Sequence, residues 1–136
     1  MNWLVLSIIT IVSWGFMGLF LKIASKYVDW PQTYIIANAV VFAAALLVYI
    51  SQKPSIVVGS PGFNYALIAG FVSSFANIGF YSALQAGKAI VVIPLTSLYP
   101  VITVALSYLI LHEEITLTKG LGIMLALLAI VLVSIE

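Results

Sequence analysis

Charged residues and cysteines are the scarcest features of this sequence. Only 7% of its 136 residues are charged and 64% are hydrophobic, whereas about a quarter of the residues in a soluble domain are charged. So few charges cannot form a water-facing shell around so much apolar surface, and the sequence therefore predicts an integral membrane protein. The absence of cysteine excludes disulfide bonds and cysteine-based metal sites. With a formal net charge of +1 and no basic stripe, nucleic acid is not an expected partner.

Groups that carry catalysis are equally scarce. The single histidine, His112, has no companion at a metal-binding spacing, and no carboxylate lies near the middle of an apolar segment. Neither a Ser/His/Asp set nor paired carboxylates occur at useful depth, so we expect no enzymatic activity, no metal site and no cofactor. Proton-coupled antiporters usually carry a carboxylate at mid-membrane depth, so its absence disfavours that mechanism.

Long apolar runs are what the sequence has in abundance. A helix needs about 20 apolar residues to cross a hydrocarbon core of about 30 Å. Five segments meet this requirement, at approximately 2–25, 32–51, 64–85, 89–111 and 117–135. The sequence predicts an all-α polytopic membrane protein, with these five transmembrane helices forming a single domain over 1–136.

The ends of two segments carry further signals. The first run has no basic residue before it and no small-residue cleavage site, so we interpret it as a retained helix and not as a signal peptide. The longest connection contains Pro54, Gly59, Pro61 and Gly62, which predict a true loop.

Lysines are nearly balanced between the two sides that these segments define. Lys53 and Lys119 fall on one side, and Lys22, Lys26 and Lys88 fall on the other. Basic residues in short loops set the orientation of a membrane protein, and two against three is almost no bias. Two alternatives stay open: a single orientation set by other cues, or insertion in both orientations.

The fourth segment contains two prolines, Pro94 and Pro100. Each removes a backbone N–H and frees the carbonyl four residues back, which cannot turn to water inside a membrane. Transporters build substrate sites at such helix breaks, where the irregular backbone lines a cavity. Polar side chains of this segment also fall on one stripe, at Thr96, Tyr99 or Pro100, Thr103 and Ser107. The pattern favours cavity lining, and a kinked packing helix is the alternative.

Polar or aromatic side chains recur every four residues on the first three helices as well. These lines are Trp14, Gly18 and Lys22; Tyr34, Asn38 and Phe42; and Ser73, Asn77 and Tyr81. Interhelical hydrogen bonds of roughly 0.6–2 kcal/mol explain any one line, but several together indicate a shared chamber with aromatic edges. Candidate substrate-binding residues are Trp14, Asn38, Asn77, Tyr81, Thr96 and Tyr99, with Pro94 and Pro100 as the helix break of a gate.

Charges and small residues near segment ends supply the remaining candidates. Lys22 and Glu113 have a possible charge role, although Lys22 can instead extend to the interface and Glu113 can serve a helix start. Gly122, Ala126 and Ala129 follow each other at steps of four and three, a spacing that lets helices approach closely in lipid. We interpret them as a possible contact between subunits.

The order of these features resembles a known family. Trp14-Gly15, with Lys22 eight residues after the tryptophan, resembles the first helix of EamA-type proteins of the drug/metabolite transporter superfamily. A later run resembles the same family at Ala89, Val92, Pro94, Leu98, Pro100, Val101, Leu106, Ser107, Leu109, Glu113, Ile115, Thr116 and Gly122. Two positions depart from the pattern, because family members commonly carry glycine where His112 stands and glutamine where Lys119 stands.

The resemblance covers one repeat, whereas most members have two repeats and ten helices. Because five is odd, the second repeat of such a pair lies upside down relative to the first. A chain with one repeat can reproduce that arrangement as an antiparallel pair of separate molecules. The resemblance also implies a central pathway lined chiefly by the first four helices, with the fifth more peripheral.

These observations lead to one functional prediction and two alternatives. The predicted function is transport of small organic metabolites by alternating access, as an antiparallel homodimer of dual topology in a prokaryotic inner membrane. Its partners are then a small-molecule substrate, membrane lipid and a second copy of the chain. The alternatives are a flippase for lipid-linked substrates and a membrane scaffold or subunit that transports nothing.

Overall fold

The computed structural model describes residues 2–135, apart from the side chain of Ser134. The described part of the chain is helical without strands, which confirms the all-α prediction. The helices are α1 (Trp3–Ala24), α2 (Trp30–Gln52), α3 (Pro61–Ala86), α4 (Ala89–Thr96), α5 (Tyr99–Leu111) and α6 (Leu117–Ser134). Met1 and Glu136, the end residues of the predicted domain, lie outside the described part.

Four spans in the described part are long and apolar enough to cross a membrane. They are Trp3–Ala24, Trp30–Gln52, Pro61–Ala86 and Ala89–Leu111, and the apolar helix Leu117–Val133 is slightly shorter. Their ends lie within three residues of the predicted segment ends. The polytopic membrane protein that the sequence predicts is therefore confirmed.

Three helices begin at a residue whose side chain accepts a hydrogen bond from the backbone of the first turn. These residues are Asn2 at 3.1 Å, Ser60 at 3.2 Å and Thr116 at 3.4 Å. The assignment of Pro61 and Gly62 to a loop was wrong, because both lie in the first turn of α3. Ser60 stabilises that turn, and the fixed φ of a proline suits the first helical positions.

Two helices are followed by a residue in the left-handed backbone conformation. Lys53 follows α2 with φ 45°, and His112 follows α5 with φ 56°. Glycine usually occupies such a position, because any side chain brings its Cβ close to the backbone there. Both residues therefore end their helices at a conformational cost that glycine would not have.

The fourth predicted span is divided into two helices. α4 ends at Thr96 and α5 begins at Tyr99, and the two residues between them form a turn. Pro94 lies inside α4, and Pro100 lies in the first turn of α5. The break therefore lies between the two prolines.

The backbone separates into two compact units. The N-terminal unit comprises Met1–Ala86 and the C-terminal unit comprises Gly87–Glu136. In the N-terminal unit, α3 packs against both α1 and α2, around a small core of Leu21, Tyr81 and Leu84. In the C-terminal unit the backbone packing is concentrated between α4 and α6. The single five-helix domain stays a prediction.

Candidate functional site

Lys22 binds the end of a neighbouring helix. Its Nζ donates a hydrogen bond of 2.7 Å to the carbonyl oxygen of Leu84, which is only 1% exposed. Because α3 ends at Ala86, this carbonyl belongs to the last turn, whose oxygens lack the usual helical donors. A cation is favourable there because it also opposes the negative end of the helix dipole. Lys22 therefore joins α1 to α3 and stabilises the end of α3.

Gln85 makes a second connection at the same end of the N-terminal unit. Its Oε1 accepts a hydrogen bond of 2.8 Å from the backbone N of Trp30, the first residue of α2. Its Nε2 donates to Oδ1 of Asp29 at 3.3 Å. The Asp29 side chain makes no capping hydrogen bond of its own, so Gln85 satisfies a helix start that would otherwise lack a partner.

One cluster at this end of the N-terminal unit therefore comprises Lys22, Asp29, Leu84 and Gln85. Lys22 was predicted as a candidate from the sequence, whereas Asp29 and Gln85 were not. Their signal in the sequence is weak, because a polar residue at a helix end usually contacts water. The pairing arises only where α1 ends, α2 begins and α3 ends at one side of the N-terminal unit.

Two tyrosines meet one turn deeper between α2 and α3. The rings of Tyr34 and Tyr81 lie 5.5 Å apart at 84°, an edge-to-face contact. Tyr81, a predicted site residue, is 8% exposed and thus part of the core. Tyr34 was noted in the polar line of α2 but was not selected.

The two predicted asparagines occupy the next level of the same helix pair. Trp30 pairs with Gln85, and Tyr34 pairs with Tyr81. Because the two helices run antiparallel, four residues forward along α2 correspond to four residues backward along α3. One further step places Asn38 and Asn77 at the same height, and both are half-buried. Asn38 Nδ2 donates to the carbonyl oxygen of Tyr34 at 2.8 Å.

Trp14 stands apart from these groups. Its side chain is 55% exposed on α1, and it has no ring contact with the tyrosine pair. The N-terminal unit also holds an apolar groove of about 260 Å³ between α1 and α2. Trp14, Asn38 and Asn77 are absent from the groove lining, so the predicted chamber residues do not share this groove.

In the C-terminal unit, the hydroxyl group of Thr96 faces its own helix. Thr96 Oγ1 donates to the carbonyl oxygens of Val92 at 2.8 Å and Ile93 at 3.0 Å. Ser97 Oγ also donates to Ile93, at 2.8 Å. The last turn of α4 is therefore supported by hydroxyl groups of the residues that end it.

The turn between α4 and α5 contains backbone hydrogen bonds of the 3₁₀ type, which join residues three apart and not four apart. The N–H of Leu98 donates to Leu95 at 3.2 Å, and the N–H of Val101 donates to Leu98 at 3.0 Å, each three residues apart. Tyr99, another predicted site residue, is 53% exposed beside this turn. Thr96 and Tyr99 thus flank the break on either side.

A cleft of about 450 Å³ lies between α5 and α6, which we call the α5–α6 cleft. Its lining residues share one helix pair and the loop that joins it; they are Val104, Ser107, Tyr108, Glu113, Glu114, Ile115, Lys119, Gly122, Ile123 and Ala126. Glu113, Gly122 and Ala126 were selected from the sequence for other roles, whereas Tyr108 and Lys119 were missed. Ala129 is exposed and lies outside the lining.

Comparison with known proteins identifies the family. The profile of the EamA-like transporter family matches residues 1–135. An uncharacterized protein of Methanocaldococcus jannaschii is 34% identical over 133 residues, which cover 98% of this chain and 96% of that protein. No solved structure matches the chain.

The family match extends over all the helices described above and agrees with their apolar, membrane-spanning character. Members of this family are transporters and not enzymes. The chain therefore belongs to the EamA-like transporter family, as a multi-pass membrane protein of the drug/metabolite transporter type.

Proposed function

We propose that this protein transports small organic metabolites by alternating access, as an antiparallel pair of identical chains. One observation carries the proposal. The chain matches the family over residues 1–135 and has five predicted spans, which is an odd number. Two such chains inserted in opposite orientations form an inverted pair, which is the symmetry on which alternating access depends in many transporters. The near balance of lysines between the two sides permits both orientations.

The polar groups suit a neutral substrate that forms hydrogen bonds. Asn38 and Asn77 lie at one level between α2 and α3, and they offer amide donors and acceptors. No charged side chain occupies the middle of a span, so a substrate with an unpaired charge would meet no counterion there. Tyr81 supplies an aromatic surface beside the asparagines.

The break in the fourth span is the point at which we expect α5 to move relative to α4 during transport. The turn between the two prolines contains hydrogen bonds of the 3₁₀ type, which join residues three apart. It therefore has fewer α-helical hydrogen bonds to break than a continuous helix when α5 tilts against α4. Thr96 and Tyr99 flank this turn, where they can follow the motion and contact the substrate. Gating by Pro94 and Pro100 is part of the proposal.

A second chain would also cover polar groups that the single chain exposes. Tyr99 is exposed although its span is apolar, and lipid offers its hydroxyl group no hydrogen-bond partner. The matching relative comes from an archaeon, which supports a prokaryotic cytoplasmic membrane as the location.

The experiment that tests this proposal is cysteine labelling in intact cells. The chain has no cysteine, so each substitution introduces a single thiol. Ser55→Cys is suitable because Ser55 lies in the exposed loop between α2 and α3, whereas Ser60 caps α3 and should be left in place. Tyr27→Cys, in the connection on the opposite side, is the matched probe, since Tyr27 is 82% exposed.

A membrane-impermeant maleimide is applied before and after permeabilisation. For insertion in both orientations, we expect about half of each variant to react in intact cells, in agreement with near-zero lysine bias. A single orientation gives full labelling of one variant and none of the other. That result would exclude an antiparallel homodimer.

A further inference from the structure

The α5–α6 cleft extends from the loop between α5 and α6 along the two helices. It begins at the loop with Glu113 and Glu114 and reaches Val104 on α5 and Ala126 on α6. Val104 lies seven positions before the end of α5 at Leu111, which corresponds to a depth of roughly 10 Å along the helix at 1.5 Å per residue. Its volume of about 450 Å³ lies within the range of ligand pockets, roughly 300–1,000 Å³.

Helix packing explains why this space exists. In the C-terminal unit, α6 packs closely against α4, whereas its backbone contacts with α5 are sparse. The chain turns between α4 and α5, and α6 keeps its close packing beside α4. The space between α5 and α6 that this packing leaves unfilled is the cleft.

The mouth of the cleft carries charges of both signs. Glu113 and Glu114 contribute two carboxylates and Lys119 contributes one ammonium, so the mouth has one negative charge in excess. All three side chains are exposed. Tyr108 adds a hydroxyl group to the same lining.

The deeper part of the cleft is lined by apolar residues, and one of these residues is a glycine. Val104, Ile123 and Ala126 line this part together with Gly122. A Cβ added at Gly122 would meet no atom within 4 Å, so the packing of the chain itself does not require glycine there. The space beside Gly122 is available to a guest molecule.

We propose that the α5–α6 cleft binds one phospholipid whose headgroup carries both a phosphate and a primary ammonium. Lys119 pairs with the phosphate, and Glu113 and Glu114 bind the ammonium by charge-assisted hydrogen bonds. One acyl chain lies along Val104 and Ile123, where a continuous apolar surface reaches the hydrocarbon region. The site does not depend on the antiparallel arrangement or on the transported substrate.

The charges at the mouth decide between this lipid and other occupants. A headgroup that carries only a phosphate meets the excess negative charge of Glu113 and Glu114 without compensating it. An apolar helix of a second chain would cover the three charged groups without supplying partners for them, which costs free energy. A zwitterionic headgroup with an ammonium satisfies both signs.

The proposal is tested by thermal unfolding of the full chain in maltoside micelles. Dioleoyl phosphatidylethanolamine and dioleoyl phosphatidylglycerol are titrated separately, since they share acyl chains and a phosphate but only the first has an ammonium. We expect the ethanolamine lipid to raise Tm by roughly 3 °C more than the glycerol lipid at saturation. Equal rises with the two lipids would overturn the proposal.

Two variants locate the effect in the cleft. In Glu113→Gln combined with Glu114→Gln, the preference for the ethanolamine lipid should disappear. Gly122→Leu fills the cleft and should lose the response to both lipids. Gly70→Leu on α3 is the matched control, because a Cβ at Gly70 also meets no atom within 4 Å, and it should respond as the unmodified protein does.

The remaining outcomes also decide the question. A Gly122→Leu variant that responds as the unmodified protein does would overturn the proposal. If this variant changes the oligomeric mass and the unmodified protein shows no lipid preference, the cleft is a contact between chains and the proposal fails. If Gly122→Leu does not fold, the double glutamine variant decides alone, since both of its substituted side chains are exposed.

Discussion

At the scale of single residues, two polar side chains of the N-terminal unit act on helix ends. Lys22 donates to the Leu84 carbonyl in the last turn of α3, and Gln85 satisfies the first backbone N–H of α2. Each helix end leaves backbone groups without intrahelical partners, and lipid offers no substitute for water. Lys22 and Gln85 therefore supply hydrogen-bond partners where the helical pattern stops.

Replacing Lys22 by methionine tests the first of these contacts. The substitution keeps an apolar side chain of similar length but removes the donor to the Leu84 carbonyl. Because hydrogen bonds to charged groups contribute about 1.5–3 kcal/mol, we expect the free energy of unfolding in micelles to fall by roughly that amount. Denaturant unfolding followed by circular dichroism measures this change.

Lys26→Met is the matched control, since Lys26 is exposed one helical turn further on. Its effect should stay within about 0.5 kcal/mol, as for most surface substitutions. Similar losses for both variants would show that the charge alone, and not the contact with Leu84, stabilises the protein.

His112 offers a test of backbone conformation. It follows α5 with φ 56°, a left-handed conformation that costs a residue with a side chain about 1–2 kcal/mol. Since glycine pays no such penalty, His112→Gly should raise the stability by roughly 1 kcal/mol after its greater flexibility in the unfolded chain is subtracted. Glu114→Gly, two residues later, is the control and should not stabilise. A loss of stability in His112→Gly would indicate that the imidazole makes an important contact.

At the scale of elements, the break between α4 and α5 divides one apolar span into two helices. α6 packs more closely beside the first of them, and the space between α5 and α6 forms the α5–α6 cleft. In the proposed function, the turn is also the point at which the span bends.

The proposed substrate contacts belong to this scale, and a double variant tests them. Thr96→Val together with Asn77→Leu keeps side-chain size but removes hydrogen-bonding groups from the fourth and third spans. We expect uptake by proteoliposomes, over a panel of isotope-labelled small metabolites, to fall at least about tenfold, or about 1.4 kcal/mol. The oligomeric mass should not change.

Thr96→Ser is the control for this prediction. It keeps the hydroxyl group that donates to the Val92 and Ile93 carbonyls, so the end of α4 should be preserved. Uptake at the unmodified level in the double variant would exclude Thr96 and Asn77 from the site. Loss of uptake in Thr96→Ser would indicate a role for the methyl group.

At the scale of the whole molecule, the chain matches the EamA-like transporter family over residues 1–135. Its matching relative has nearly the same length, since the alignment covers 98% of this chain and 96% of that protein. In the proposed function, a second copy supplies the inverted half.

Lysine redistribution tests this arrangement without knowledge of the substrate. The first variant combines Ser55→Lys, Val58→Lys and Lys26→Gln; it has four lysines on the side of Lys53 and two on the opposite side. The second variant combines Lys53→Asn and Tyr27→Lys; it has one lysine on the first side and four on the opposite side. Because basic loops set orientation, we expect each variant to insert in one direction only. Asparagine suits position 53, where the backbone is left-handed.

The two variants then carry different affinity tags. We expect the unmodified protein to form a cross-linked dimer. Expressed alone, neither variant should form this dimer; expressed together, they should form it with both tags present. Cross-linked dimers of a single variant, at the unmodified level, would exclude the antiparallel pair.

Much of the fold could be predicted from the sequence because membrane helices obey local rules. An apolar run of about 20 residues must form a helix in lipid, since every backbone group needs a partner within the segment. Pro94 and Pro100 restrict where hydrogen bonds can form, and the observed break lies between them. The candidate site was less predictable, and its residues stay a prediction: Tyr81 contacts Tyr34 between α2 and α3, whereas Trp14 is separate from the tyrosine pair.

The sequence by itself determined the class of protein, its apolar spans and the family pattern, because each depends on composition or on spacing along the chain. Only the tertiary structure decided that Lys22 binds the Leu84 carbonyl 62 residues away and that Gln85 reaches Trp30 and Asp29. It also decided that Lys119 shares a cleft with Glu113 and Glu114. These pairings depend on which helices pack together and at what height, and helix packing in lipid follows the fit of opposing surfaces, which no single segment contains.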